Sequence, residues 1–283
     1  MRTATAFRRR ALSALIVGGC GAAVVVALVP LVLILFFVLS RGLAGLNLAF
    51  FTQMPKPVGE VGGGMANAMV GTLMLIGMAG LLAIPVGVLS GVYLSEYAKT
   101  RLATLSRFAA DVLNGVPSIV IGIFAYGLAV LPVHRFSAVA GSVALAVMMV
   151  PIMARTTEEM LKLVPGSLRE GALALGATRG RAMFTVILPA ALPGVVTGIL
   201  VALARIAGET APLLFTSFNN RFLSTDPTQP MASLTVQIYT YAISPYADWH
   251  RQAWAGASVL VLSVLTFSIL ARTITRRLER MHR

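Results

Sequence analysis

Charge is scarce in this sequence. Only 12% of its 283 residues are Asp, Glu, Lys or Arg, and only ten are acidic. A soluble globular chain carries roughly a quarter charged residues. With 57% hydrophobic residues and a mean hydropathy of +0.85, the chain belongs in lipid. Cysteine is nearly missing too: Cys20 stands alone in an apolar run, which excludes a disulfide framework and a thiolate metal set. His134, His250 and His282 fit no metal-ligand spacing. No G-x-x-x-x-G-K-[ST] occurs, so no phosphate-binding loop holds a nucleotide, and Gly62-Gly63-Gly64 has no following Lys. The absence of G-x-S-x-G and H-E-x-x-H argues against a hydrolytic enzyme. The net charge of +13 is gathered between apolar runs and not along a soluble face, so nucleic acid is not an expected partner.

What is present is a series of long apolar runs. Arg8, Arg9 and Arg10 precede an uncharged run from Ala11 to Ser40, about twice the length of a signal-peptide core and without a clear cleavage site, so it is predicted to be a retained first span with a kink at Pro30. A breaker-rich loop is expected over 41–64, with Pro55, Pro57 and the Gly triplet. Further spans are predicted within 61–95, at 112–133 with a break at Pro117, at 136–154, within 182–218 and at 252–271. A polar loop is expected over 219–251 and a basic tail from Arg272. The N-terminus, the loops at 96–108 and 155–181 and the tail hold 17 Lys and Arg, against 5 in the loops between them. The positive-inside rule therefore predicts both termini in the cytoplasm.

Two charges fall inside an apolar segment. Arg205 and Glu209 lie in LARIAGETAPLL, four residues apart, where one continuous helix would put them on one face as a pair. Each costs roughly 2.5–3.5 kcal/mol at mid-membrane on insertion scales, so such groups face a cavity or the bundle interior. The pair is either structural glue between helices or part of a path. Gly208, Thr210 and Pro212 make the stretch polar and locally irregular, and Arg is suited to binding an oxyanion by two parallel hydrogen bonds. Asp111 and Asn114 are expected to open the third span. Asp is favoured at a helix N-terminus and Asn114 can bond locally near Pro117, so these two rank second as path residues.

The longest charge-bearing stretch between spans leads to Pro189. Pro165-Gly166 stops a short helix read over 156–164. Ser167 and Glu170 have the spacing of a capping box. Leu168, Ala172 and Leu175 form an apolar stripe, and Gly176 fits a C-terminal cap. Arg169, Arg179 and Arg181 are available to acidic groups of a partner. The helix either docks on a soluble protein or packs on its own bundle.

Glu170-Gly171-Ala172, three residues, Gly176, nine residues, then Val186-Ile187-Leu188-Pro189 resembles the EAA motif of ABC-importer permeases, with Gly171 and Val186 in place of Ala and Ile. GGGMANAMVGTL, GVYLSEYA, DVLNGVPSIVIGIFAYG, ARIAGETAPLLFT and PMASLTVQIYTYA extend the resemblance over most of the chain from about Gly63, to the PstA family of phosphate-importer permeases. The resemblance implies an all-α polytopic membrane protein of six transmembrane helices with a type I ABC-importer (MetI-like) core. It divides the chain into 1–60 (N-terminal arm, first span and outer loop), 61–275 (permease domain, with a coupling helix at 167–176) and 276–283 (basic tail).

It further implies a phosphate path, in which the intramembrane charges put Arg205 first, with Glu209 orienting or balancing it and Thr210 nearby, and Asp111 and Asn114 in second rank. ATPase coupling falls to Ser167, Arg169, Glu170, Gly171, Ala172 and Gly176. The implied partners are a PstC-like second permease, a PstB-like ATPase dimer that uses ATP and Mg, and a PstS-like extracytoplasmic phosphate-binding protein. The implied location is the bacterial inner membrane, and this chain itself needs no cofactor or metal. A permease for another oxyanion such as sulfate or molybdate, an ion-driven secondary transporter, and a membrane anchor without a path are the alternatives.

Overall fold

The computed structural model describes residues 2–281, with side chains described for residues 12–270 and Thr273. The expected arginines at 8–10 and the basic side chains of the 276–283 tail lie outside the described side chains. Five described helices are long and apolar enough to cross a membrane, and a bent pair supplies the material for a sixth.

Helix α1 (Arg2–Gly42) takes in the first apolar run and keeps Pro30 inside it. The most apolar stretch of this span is wholly exposed within the chain, so its apolar surface faces lipid or a partner. Among the described side chains it is held near its end, where Ser258 Oγ donates to Val38 O at 2.7 Å. The following loop is more ordered than breakers alone suggest. It holds a short 3-10 turn (Leu43–Gly45), α2 (Leu48–Thr52) capped by Asn47, and a bridge between Pro55 and Gly63.

Helix α3 (Ala66–Glu96) has 31 residues, about 46 Å at the usual rise. It packs along α6 (Ala138–Lys162). Gly87 and Gly91 allow that approach: a Cβ added there would lie 2.6 Å from Met153 Cβ and 2.5 Å from Thr157 Cβ. Without a hydrophobic drive between helices in lipid, such close backbone packing supplies the attraction. The stretch read as a separate helix over 156–164 is instead the last turns of α6, because nothing between Ala154 and Thr156 interrupts the backbone ladder.

The predicted third span is not a single rod. Helix α4 (Arg101–Gly115) begins inside the stretch read as a charged loop, capped by the Thr100 hydroxyl. It meets α5 (Ser118–Ala125, continuing through a wide turn at Tyr126–Val130) at 107°. Pro117 causes the break. It has no N–H to donate, and it forces Val116 into an extended conformation (φ −69°, ψ 131°).

Helix α7 (Gly166–Ala174) and α8 (Arg179–Ala182) precede α9 (Leu188–Ala207), which a second wide turn at Met183–Ile187 joins to α8. Both wide turns stand just before an X-Pro step, at Pro132 and Pro189. Leu131 N–H and Leu188 N–H each reach back five residues, to Tyr126 O and Met183 O. The widening relieves the clash of a pyrrolidine ring with the carbonyl four residues earlier. The core then follows from three helices: Leu75, Ala79 and Ala83 of α3 meet Leu145, Met149 and Met153 of α6, with Ala202 and Ile206 of α9 closing it.

The loop expected over 219–251 contains α11 (Leu234–Ala242), capped by the Ser233 hydroxyl, and the start of α12 (Ala247–Met281). Tyr241 stacks on Trp249 at 4.4 Å and closes a second apolar cluster at the end opposite α7.

Candidate functional site

Helix α9 stops at Ala207, two residues before Glu209. Pro212 has no N–H to offer the carbonyl of Gly208. Gly208 N–H and Glu209 N–H tighten onto Arg205 O and Ile206 O at 3.2 Å, and α10 (Ala211–Thr216) restarts as a six-residue helix. Arg205 and Glu209 are therefore not on one continuous helix face, and they form no ion pair among the described residues. The expected i, i+4 pair is corrected by that break.

The break is held from the other side of the chain. Thr235 Oγ1 donates to Glu209 O at 2.8 Å, and Ser233 Oγ lies 3.2 Å from the same hydroxyl. Thr72 Oγ1 of α3 accepts from Leu234 N–H at 2.8 Å. Ser233, Thr235 and Thr72 are all buried. Three hydroxyls thus tie an irregular stretch to α3 and α11 where water is sparse, as non-helical backbone at membrane depth requires. Sequence reading did not single out these three; Ser233 and Thr235 stand out only as hydroxyls in the otherwise apolar MASLTV stretch, and Thr72 lies far away in the first half of α3.

Arg205 is exposed, in the last turn of α9, where a cation opposes the negative end of the helix dipole. Thr197, Val201 and Arg205 are exposed and fall on one stripe of α9, and Gly208, just past its end, is exposed too. Thr210 stands at the head of α10 without a side-chain cap bond. Helix α5 is pressed against α10: a Cβ on Gly122 would lie 2.7 Å from Pro212 Cα. Two cavities of about 340 and 570 Å³ lie between α3, α9 and α12 and between α3, α4 and α6. Both are apolar, and neither is lined by Arg205 or Glu209.

Asp111 and Asn114 lie elsewhere. They sit toward the C-terminal end of α4 and do not open a span, so the dipole argument for Asp111 is reversed. Asp111 Oδ1 is held instead by Arg155 Nε at 3.0 Å, and Asn114 is exposed. Arg155 belongs to a cluster that sequence reasoning missed. Glu158 of α6, with no exposed side-chain surface, accepts from Arg107 Nε (2.7 Å), an Arg155 terminal nitrogen (2.8 Å) and Lys162 Nζ (2.6 Å). Arg107 also donates to Leu94 O at 2.7 Å and Ala98 O at 3.0 Å, where α3 ends. Arg155–Glu158 (i, i+3) and Glu158–Lys162 (i, i+4) were legible as neighbours on one helix, but Arg107 is 51 residues away from Glu158.

The α7 segment is bounded as a short helix, with one change at its start. Pro165 occupies the cap position and Ser167 makes no capping bond, so the capping box with Glu170 does not form. The C-terminus closes as a Schellman motif. Gly176 (φ +85°) donates to Leu173 O at 2.9 Å and Ala177 N–H donates to Ala172 O at 3.1 Å. Of the expected stripe only Ala172 is buried. Leu168 is exposed, and Leu175 is 91% exposed. Glu170 and Gly171 are exposed as well. Arg169 turns inward, its guanidinium 2.5 Å from Glu96 at the end of α3. It is a tie within the chain and not an open site for a partner's acid.

Among the described residues no group of three His, Cys, Asp or Glu is placed to hold a metal. Residues 83–282 match the family described as binding-protein-dependent transport system inner membrane component. A phosphate transport system permease protein PstA of Yersinia pestis is 50% identical over 86% of this chain and 83% of its own length. The PstA protein of Haemophilus influenzae is 45% identical over 88% of each chain. The PstA 1 protein of Mycobacterium tuberculosis is 38% identical over 88% of this chain and 83% of its own. In fold, the chain is similar to an inward-facing MetNI methionine ABC transporter, with a TM-score of 0.60 at 23% identity over 76% of this chain and 97% of that one.

Proposed function

This chain belongs to the binding-protein-dependent transport system inner membrane components, in the PstA family of phosphate transport system permeases, and on that premise we propose how its residues divide the work. It is a multi-pass permease component of a phosphate ABC transport system, a transporter subunit and not an enzyme, with the ATPase on a separate chain. Residues 1–60 form an N-terminal arm, first span and outer loop, 61–275 the permease domain, and 276–283 a basic tail. Both termini lie in the cytoplasm.

In this reading Arg205 is the phosphate-binding cation of the path. The observation that carries it is an exposed guanidinium, unpaired among the described residues, on the open stripe of α9 beside a break in the helix. A membrane-depth Arg without an acidic partner among the described residues needs an anion to balance it, and its planar fork fits two oxygens of a tetrahedral oxyanion. Glu209 sets the local field so that the anion is released, and Thr210 supplies a hydroxyl. The apolar cavities of the single chain leave the other wall of the path to a second, PstC-like permease. Asp111, clasped by Arg155, serves structure and not transport.

The α7 helix seats Leu175, Leu168 and Glu170 in a PstB-like ATPase dimer that binds ATP and Mg. A PstS-like protein delivers phosphate on the opposite side. The test is Arg205→Ala in the assembled transporter. Labelled phosphate uptake should fall by about a hundredfold or more, the loss of one charge-assisted bidentate contact being worth about 3 kcal/mol, while assembly is retained. Normal uptake removes Arg205 from the path.

A further inference from the structure

Beyond the path and the docking helix lies the cluster around the buried Glu158. Its position in the chain of contacts is unusual. Arg169 of α7 meets Glu96, the last residue of α3. The carbonyls of that same helix end, at Leu94 and just beyond it at Ala98, take two of the Arg107 donors, and the third goes to Glu158. Glu158 is fixed within α6 by Arg155 and Lys162, so Arg107 joins three elements at one guanidinium. Arg107 lies on α4, which turns through 107° into α5, and α5 presses Gly122 against Pro212 just after Glu209 and Thr210. An unbroken series of charged and packed contacts therefore runs from the docking helix to the break in the path.

We propose that Arg107 and Glu158, with the Glu96–Arg169 pair, are positioning residues that convert displacement of α7 into movement of the bent pair α4–α5 and so of the path. The proposal rests on the reading of α7 as the ATPase docking helix. Stability alone does not call for such a cluster, because apolar packing of equal volume holds helices as well as buried ion pairs do. What the cluster adds is direction. A guanidinium fork with three acceptors on two helix ends fixes orientation as well as distance, and Val116–Pro117 provides one joint about which α4 and α5 can change angle. A series of contacts becomes a transmission route only if perturbing it changes coupling, and that is the quantity to measure.

The experiment uses the complete transporter, with both permeases, ATPase and binding protein, in proteoliposomes, and reads phosphate taken up per ATP hydrolysed. Glu96→Arg and Arg169→Glu, each alone, should lower that ratio about tenfold, and the double variant, which restores the pair with its charges exchanged, should recover most of it. Arg107→Lys keeps the charge but loses the fork, and it should lower the ratio to the same extent. Unchanged ratios in the assembled single variants overturn the proposal, as does a double variant no better than the singles. If a single variant does not assemble, the Arg107→Lys ratio decides. Co-purification of the ATPase with a Gly176→Asp variant separates the two readings. Retention there overturns the docking role of α7 itself. Loss there, combined with unchanged ratios in the charge-exchange series, overturns only the transmission route.

Discussion

Replacing Thr235 by Val isolates one bond that holds the path in place. Val keeps the Cβ branching of Thr and fills nearly the same space in the buried site. What it removes is the hydroxyl that donates to Glu209 O at 2.8 Å and lies 3.2 Å from Ser233 Oγ. The freed carbonyl stands in the stretch where Pro212 has already withdrawn a donor. A buried acceptor left unsatisfied costs about 1–3 kcal/mol. At about 1.4 kcal/mol per factor of ten, this shifts the population of the broken geometry by roughly 5- to 150-fold. Because Arg205 takes its position from that geometry, uptake at limiting phosphate should fall by about tenfold. Thermal unfolding of the purified complex should shift down by an amount equivalent to about 1–3 kcal/mol. Thr235→Ser keeps the hydroxyl and should retain most of both. The measurements are concentration-dependent uptake of labelled phosphate and unfolding of the same preparations. A Val variant that matches the parent in both refutes the anchoring role, as does a Ser variant as impaired as Val.

Two further substitutions probe contacts at either end of the molecule. Gly122→Ala places a methyl 2.7 Å from the Pro212 backbone; the forced separation of α5 from α10 should cost about 1–3 kcal/mol, read as a lower unfolding midpoint, and an unshifted midpoint would show that the contact yields freely. Gly176→Asp puts a side chain at φ +85° and a negative charge at the C-terminal end of α7; the strain of about 1 kcal/mol and the unfavourable dipole contact should open the Schellman closure and abolish ATPase recovery in pull-downs, an outcome contradicted by full recovery.

The sequence determined by itself that this chain lives in a membrane, because scarcity of charge and run length need no tertiary information. It also placed Gly176 at the end of α7, since a left-handed cap is a local demand that glycine meets. Pro117 announced the break in the third span, though not its angle or the extension of α4 back to Arg101, which depends on the Thr100 cap and on Arg107 finding acceptors. Charge pairing was decided only by the tertiary structure. Arg205 and Glu209 looked like partners on the assumption of a continuous helix, and a hydroxyl 26 residues further on helps hold that helix broken. Arg169 looked free for a partner and is taken by Glu96, while Asp111 looked like a helix-start residue and is taken by Arg155. Spacing along the chain gives which charges are neighbours on one helix, but a pairing between helices depends on which opposite charge the packing brings within reach. Only the packed bundle fixes which charge that is.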